Sequence, residues 1–140
     1  MSKALLVLCL LTVALLAGCG GDPGPDWPEQ VSPFAGFWKG AWTDSTNNQT
    51  GTAEVVIRTD GKGSGMVTNT TLGLQGNASV AISSKGSATF TYQYAEDTYL
   101  LNGTLFISEH TDKSVHLVGL LKEYYNDAEF GTVSVDLVKQ

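Results

Sequence analysis

The sequence predicts an all-β domain, an eight-stranded antiparallel up-and-down barrel, placed after an apolar N-terminal segment and a proline-rich linker. From Phe34 to Gln140, apolar and polar residues alternate in stretches that recur roughly every ten to fifteen residues, as expected for strands with one buried face. All four prolines lie at or before Pro33, so none interrupts these stretches. No window of about twelve residues has an apolar stripe of helical period, and 140 residues suit a single domain.

The strand boundaries follow from this alternation and from the turn residues between strands. Asp60-Gly61 is the strongest hairpin signal, because both residue types tolerate the positive φ angles that tight turns need. Ser83-Ser84-Lys85-Gly86 and Glu96-Asp97 mark two further turns. The predicted strands are residues 36–43, 51–59, 63–69, 74–82, 86–94, 98–108, 114–124 and 129–139.

Residue parity assigns one face of each strand to the interior. Large apolar residues occupy this face, and five glycines fall on it within strands. Glycine inside a strand weakens a flat sheet but permits the sharp bends of a small barrel, so the pattern favours a closed barrel over a sandwich. The inward set comprises Trp38, Trp42, Val55, Ile57, Leu74, Ala78, Val80, Ile82, Phe90, Tyr92, Tyr94, Tyr99, Leu101, Leu105, Ile107, Leu117, Leu121, Val133, Val135 and Leu137, with glycines Gly40, Gly65, Gly76, Gly103 and Gly119.

Together with Gly36-Phe37-Trp38 on the first strand, this topology resembles a miniature lipocalin- or avidin-type barrel over residues 36–139. The resemblance implies the barrel fold. The chain departs from lipocalins because it lacks their helix and their disulfide. No ligand residue of the biotin binders can be placed here position by position, so none is assigned.

The first nineteen residues form a second pattern. A positively charged start, Met1-Ser2-Lys3, precedes the apolar residues 4–15, which are too few to span a bilayer as a helix. Leu16-Ala17-Gly18-Cys19 follows, and the whole segment resembles the lipobox signal peptide of bacterial lipoproteins. The resemblance implies cleavage after residue 18 and lipidation of Cys19 by a diacylglyceryl thioether and commonly an N-acyl chain such as palmitate. Gly20, in place of Asp, implies sorting to the outer membrane under the enteric rule.

The cysteine count favours this interpretation. Cys19 is the one cysteine left after cleavage, so it has no partner for an intramolecular disulfide, whereas lipidation accounts for it. Residues 19–33 then form an extended linker and residues 34–140 the barrel domain. The net charge is −6, and −7 once Lys3 is removed, so nucleic acid is an unsuitable partner.

Five inward aromatic residues are the candidate ligand-binding residues: Trp38, Trp42, Tyr92, Tyr94 and Tyr99. They predict an aromatic pocket for a small apolar ligand if the barrel contains a cavity. An eight-stranded barrel is just wide enough to be filled by side chains or to hold one small ligand. This many large inward residues favour a filled interior.

A candidate interaction surface lies on the opposite parity. Leu100, Phe106, Val118 and Leu120 place neighbouring apolar residues on the outer face of the sixth and seventh strands. Such a patch is typical of a surface for a protein partner or for self-association. Alternatively, the linker covers it.

The sequence contains no constellation that predicts catalysis or metal binding. Glu109-His110-Thr111-Asp112 is interpreted as a solvated turn, since neighbours in sequence seldom converge on one ion. His116 is expected on the outer face, and the pattern places no Ser or Cys beside either His. Two concentrations of acidic residues are assigned to connections between strands, where they favour solubility and turns: Glu96-Asp97, and the group Glu123, Asp127 and Glu129.

These observations predict a lipid-anchored cell-envelope protein that acts as a non-enzymatic binding or interaction module without a cofactor. The expected partners are the membrane, through the anchor, and either a small apolar ligand or an envelope protein. Two alternatives stay open. The barrel interior carries a small apolar ligand, or the domain inhibits exported proteases, since some such inhibitors are small barrels.

Replacing Cys19 by Ser removes the thiol that the lipobox pattern marks for lipidation. We expect the Cys19→Ser chain to incorporate no palmitate analogue during metabolic labelling and to leave the membrane pellet, because it has lost its acyl chains. The matched control is Cys9→Ser, which lies within the signal segment and should label normally. Label that persists in Cys19→Ser would contradict the assignment.

Overall fold

The computed structural model describes residues 30–140, which form a closed eight-stranded barrel. Each strand pairs antiparallel with the next one in the chain, and the last pairs with the first, so the described sheet has no free edge. This confirms the predicted fold class. The strands are β1 (Gly36–Asp44), β2 (Gln49–Ile57), β3 (Lys62–Asn69), β4 (Leu74–Ile82), β5 (Ser87–Tyr94), β6 (Asp97–Glu109), β7 (Val115–Tyr125) and β8 (Ala128–Lys139).

Every predicted strand corresponds to one observed strand, with ends that differ by at most two residues. The signal segment, Cys19 and most of the predicted linker lie outside the described residues. Residues 30–140 include no helix with the length and hydropathy that a membrane-spanning segment requires.

The inward side chains form four levels along the barrel axis, each with one residue from every strand. Burial alternates along the strands, and the register between neighbours fixes which inward residues share a level. The first level is Trp38, Ile57, Gly63, Ile82, Ala88, Leu105, Leu117 and Leu137; the second is Gly40, Val55, Gly65, Val80, Phe90, Gly103, Gly119 and Val135; the third is Trp42, Ala53, Val67, Ala78, Tyr92, Leu101, Leu121 and Val133; the fourth is Asp44, Gly51, Asn69, Gly76, Tyr94, Tyr99, Glu123 and Gly131.

The second level shows why glycine is required inside this barrel. A Cβ atom built on Gly65 would lie 1.8 Å from the carbonyl oxygen of Glu54 on the neighbouring strand. Only glycine permits so close an approach of two strands. The inward glycines therefore let the strands coil tightly enough to close the ring.

Residues that precede β1 close the barrel at its first level. The Ser32 amide donates to the carbonyl oxygen of Thr59 at 2.7 Å, and Phe34 is buried. The Trp38 indole nitrogen donates to the carbonyl oxygen of Phe34 at 2.8 Å. The chain thus enters the barrel at a plugged end. We call the opposite end, where the fourth level lies, the mouth.

Two residues predicted to point inward are exposed. Leu74 and Ile107 have the correct parity, but each lies beyond the four levels, Leu74 outside the mouth and Ile107 outside the plugged end. The prediction was wrong for both because parity assigns a face and does not show where the interior ends.

Trp38 has no exposed surface and fills the plugged end. We expect Trp38→Ala to lower the free energy of unfolding by about 3–5 kcal/mol, through lost apolar burial and the cavity left behind. Urea unfolding measures this. Phe106→Ala, on the outer wall, is the control and should change stability by no more than about 0.5 kcal/mol. A loss below about 1 kcal/mol for Trp38→Ala would contradict the assignment of Trp38 to the core.

Candidate functional site

An apolar cavity of about 50 Å³ lies at the third level of the barrel. Its walls are the eight residues of that level together with Val55, Phe90, Val135 and Leu137. A cavity of about 150 Å³ is known to hold benzene, so this one is too small for an aromatic ring. Side chains fill most of the interior, and the remaining space takes a short alkyl segment.

Four of the five predicted ligand-binding aromatics lie at or directly above this cavity. Trp42 and Tyr92 line it, and Tyr94 and Tyr99 belong to the fourth level. The Tyr92 ring stacks on Tyr99 with centroids 5.0 Å apart and meets the edge of Tyr94 at 5.1 Å. Trp38 does not reach the cavity, because it lies at the first level and is held by Phe34.

The fourth level is polar and buried, which sequence reasoning missed. Asp44 is 1% exposed and Glu123 is 3% exposed. The assignment of Glu123 to a connection between strands was wrong, because Glu123 lies within β7 on the parity of Leu121 and points into the barrel. The parity of the two residues indicated that they point inward: Asp44 follows Trp42 by two residues, and Glu123 follows Leu121 by two.

Three hydrogen bonds from neutral groups hold the Asp44 carboxyl group. Its Oδ1 accepts from the amides of Thr46 at 2.9 Å and Asn47 at 3.1 Å, and its Oδ2 accepts from Asn47 Nδ2 at 2.6 Å. A Cβ on Gly131 would lie 2.9 Å from Oδ2, so glycine makes room for the carboxyl group. Asp44 is therefore fixed in place without a basic partner.

Glu123 lies against Asp44 and the Tyr92 hydroxyl. Tyr92 donates a hydrogen bond to Glu123 Oε1. Burial, followed by the negative charge of Asp44 and hydrogen bonding with it, raises the pKa of Glu123 to about 7. Near neutral pH, Glu123 is thus protonated in about half of the molecules, and its proton lies between two carboxyl groups.

Tyr94 contributes a buried hydroxyl group that has no hydrogen-bond partner among the described residues. The residue is 7% exposed, and burial, with a smaller contribution from Tyr99, raises its pKa to about 12. The hydroxyl is therefore neutral at physiological pH. An unpaired buried hydroxyl costs free energy, so this group is available to a ligand.

The rim of the mouth is acidic. Glu96 lies between β5 and β6, Asp97 begins β6, and Asp127 lies in the turn before β8. Glu129 binds Lys122 at 2.5 Å. The rim and the two buried carboxyl groups together give this end of the barrel a negative potential, which attracts cations.

On the outer wall, the structure corrects a second prediction. Ser114 Oγ lies 2.9 Å from His116 Nε2, and His116 Nδ1 lies 2.6 Å from Asp136 Oδ1. The expectation that no Ser lies beside a His was wrong, because Ser114 and His116 share one side of the chain and the pairing of β7 with β8 brings Asp136 to them.

Ser114, His116 and Asp136 are arranged in the order of a nucleophile, a base and a carboxylate. The Ser114 hydroxyl group, however, has a second hydrogen-bond partner. Ser114 Oγ also bonds Asp112 Oδ1 at 2.5 Å. The Ser114 hydrogen bonds hold the pKa of Asp112 below its usual value, so Asp112 is a charged acceptor. It competes with His116 for the single hydroxyl hydrogen, which weakens the arrangement as a site for nucleophilic attack.

The predicted interaction residues lie on the outer wall. Phe106 is 60% and Leu120 is 65% exposed, and Val118 sits directly opposite Phe106 across the β6–β7 pair. Leu100 is exposed farther along β6. Residues 30–33 contact Thr59 at the end of β2, so this part of the linker does not cover the patch.

Within residues 30–140, no three His, Cys, Asp or Glu side chains are placed to hold a metal ion. Compared with protein-family models, with curated proteins and with solved structures, the chain matches none. The site is therefore interpreted from its own geometry.

Glu123 makes the stability of the protein depend on pH. Because its pKa is about 7 in the folded state against 4.5 ordinarily, the folded state binds more protons between these values, and stability falls as pH rises through this window. We expect Glu123→Gln to remove about 2–3 kcal/mol of this decline.

Urea unfolding of both proteins at several pH values between 4.5 and 7.5 measures the effect. Glu129→Gln, at the exposed rim, is the control and should retain the wild-type pH dependence. Parallel stability curves for the wild type and Glu123→Gln would show that Glu123 is not buried beside Asp44.

Proposed function

We propose that the chain is a lipid-anchored protein of the cell envelope that binds a small ligand at the mouth of its barrel and does not transform it. The observation that supports ligand binding is that a buried polar level, which includes the unpaired Tyr94 hydroxyl, lies directly above an apolar cavity. Pockets that bind small molecules combine apolar walls with a few fixed polar groups in this way.

The lipobox pattern supports the anchor. A diacylglyceryl group and an N-acyl chain on Cys19 would supply enough buried alkyl surface for stable attachment. The linker leads to the plugged end of the barrel, so the mouth would face away from the membrane. In a cell with two membranes, the mouth would then open into the periplasm, below the outer membrane.

The dimensions of the site restrict the ligand. The 50 Å³ cavity accommodates a short alkyl segment, and the carboxyl and hydroxyl groups of the fourth level contact the polar part. An amphipathic ligand satisfies both regions. A purely apolar ligand would leave the polar level without a partner.

A second candidate function is binding of an envelope protein on the outer wall of β6 and β7. The observation that favours it is the exposure of Phe106 and Leu120 beside Val118. Apolar side chains at the centre of a patch are typical of protein interfaces. A ligand in the barrel does not conflict with a partner on the wall.

Native mass spectrometry of the full chain, after incubation with an extract of its source envelope, tests the ligand-binding proposal. We expect an added mass of at most a few hundred daltons. Ala78→Val should abolish it, because Ala78 lines the cavity and two added methyl groups occupy that space. Ala81→Val on the outer side of the same strand is the matched control and should retain the ligand. A bare protein mass in every case would exclude a carrier and leave the outer wall as the binding surface.

A further inference from the structure

We propose that the ligand of the mouth is a compact alkylamine, whose ammonium group is received by Asp44 and Glu123 while its alkyl segment enters the third-level cavity. This inference rests on the proposed function and specifies the charge of the ligand. The basis is that the carboxyl groups of the fourth level have no ion-pair partner among the described residues.

The two buried carboxyl groups have no basic partner among residues 30–140. Asp44 accepts hydrogen bonds from two amides and an Asn side chain, and Glu123 accepts one from a neutral phenol. The two carboxyl groups also share a hydrogen bond with each other, which supplies no positive charge. The ion pairs of the described residues involve neither carboxyl group. A buried carboxylate is costly without a counter-charge, so a cationic ligand supplies what the protein does not.

Tyr94 provides independent support for a donor-rich ligand. Its hydroxyl group is buried and unpaired, and its ring contacts Tyr92, whose own hydroxyl binds Glu123. A primary ammonium has three N–H donors. The carboxyl groups of Asp44 and Glu123 are acceptors at the fourth level, and the unpaired phenol of Tyr94 belongs to the same level.

A row of aromatic rings connects this level with the rim. Tyr92 stacks on Tyr99, and Tyr99 stacks on Tyr125, with centroids 5.0 Å apart in both pairs. Tyr125 donates to Asp97 at 2.8 Å. The faces of aromatic rings attract cations, and the acidic rim increases their local concentration. An anionic ligand would be repelled along the same route.

Binding should release a proton from Glu123. The titratable groups that face Glu123 are Asp44 from β1, Tyr92 and Tyr94 from β5 and Tyr99 from β6. The other strands bring only glycines and Asn69 to this level. Since the pKa of Glu123 is about 7, full charge on the pair is available at pH 8 and largely lost at pH 6. Affinity for an ammonium should therefore fall about tenfold over this range.

The test uses the mature lipidated chain in nanodiscs, with the indole N–H signal of Trp42 followed by NMR. Trp42 lines the cavity and reports on any alkyl segment that enters it. The probes are n-butylamine, 1-butanol and butyrate, which each contain four carbons and differ in charge. At pH 8 we expect n-butylamine to bind at least tenfold more tightly than 1-butanol, and butyrate not to bind.

Variants separate the roles of Asp44, Glu123 and Tyr94. Glu123→Gln should weaken n-butylamine binding at least tenfold and abolish its pH dependence, while 1-butanol binding is unchanged. Asp44→Asn should weaken n-butylamine similarly. Glu54→Gln, which removes a carboxyl group paired with Lys39 on the outer wall, is the matched control and should change affinity less than twofold.

Tyr94→Phe distinguishes a ligand contact from a structural role. It should weaken n-butylamine binding several-fold without lowering the urea midpoint of the free protein, because the hydroxyl has no partner there. If Asp44→Asn does not fold, Tyr94→Phe and the pH dependence of the wild type still test whether the site binds an ammonium group.

The outcomes separate the two proposals. Equal affinities for n-butylamine and 1-butanol, with no pH dependence, would overturn the ammonium assignment and leave a neutral ligand in the cavity. If no probe shifts the Trp42 signal, both the alkylamine and the ligand-binding mouth are wrong.

Discussion

The narrow interior of an eight-stranded barrel is the constraint on which the rest of this structure depends. Each level has eight inward positions and a nearly fixed volume, so a large side chain at one position requires a small one at another. Glycines occupy four positions of the second level and permit the strands to approach each other. The third level combines Trp42 and Tyr92 with Ala53 and Ala78, and this mixture of large and small side chains leaves the small cavity.

The polar fourth level lowers the stability of the barrel. Apolar residues at Asp44 and Glu123 would extend the core by one level and avoid the burial of two carboxyl groups. The chain instead holds Asp44 with three neutral donors and carries Glu123 with a pKa near neutrality. Buried polar groups that are incompletely satisfied are costly, and they are concentrated where proteins bind ligands. The ligand site that we propose coincides with such groups.

Alternation together with the turn residues was sufficient to predict the strands, because one face of each strand packs in the core and the other meets water. The same rule extends to Asp44 and Glu123, and it failed only because acidic residues near strand ends are usually assigned to turns. The contact of His116 with Asp136 could not be predicted, since it depends on the register between β7 and β8. Register arises from packing of whole strands and is absent from any local pattern.

The ring of strands also affects how the chain acquires its structure. Trp38 pairs with Lys139, so the first strand to be synthesised finds its second neighbour only in the last. Contacts that join distant parts of a chain form slowly, because the loop between them must first be closed. Until β8 is available, β1 and β7 each expose an unpaired edge that can capture other chains. The ribosome releases the N-terminus first, so this protein remains vulnerable to aggregation until its final residues are free.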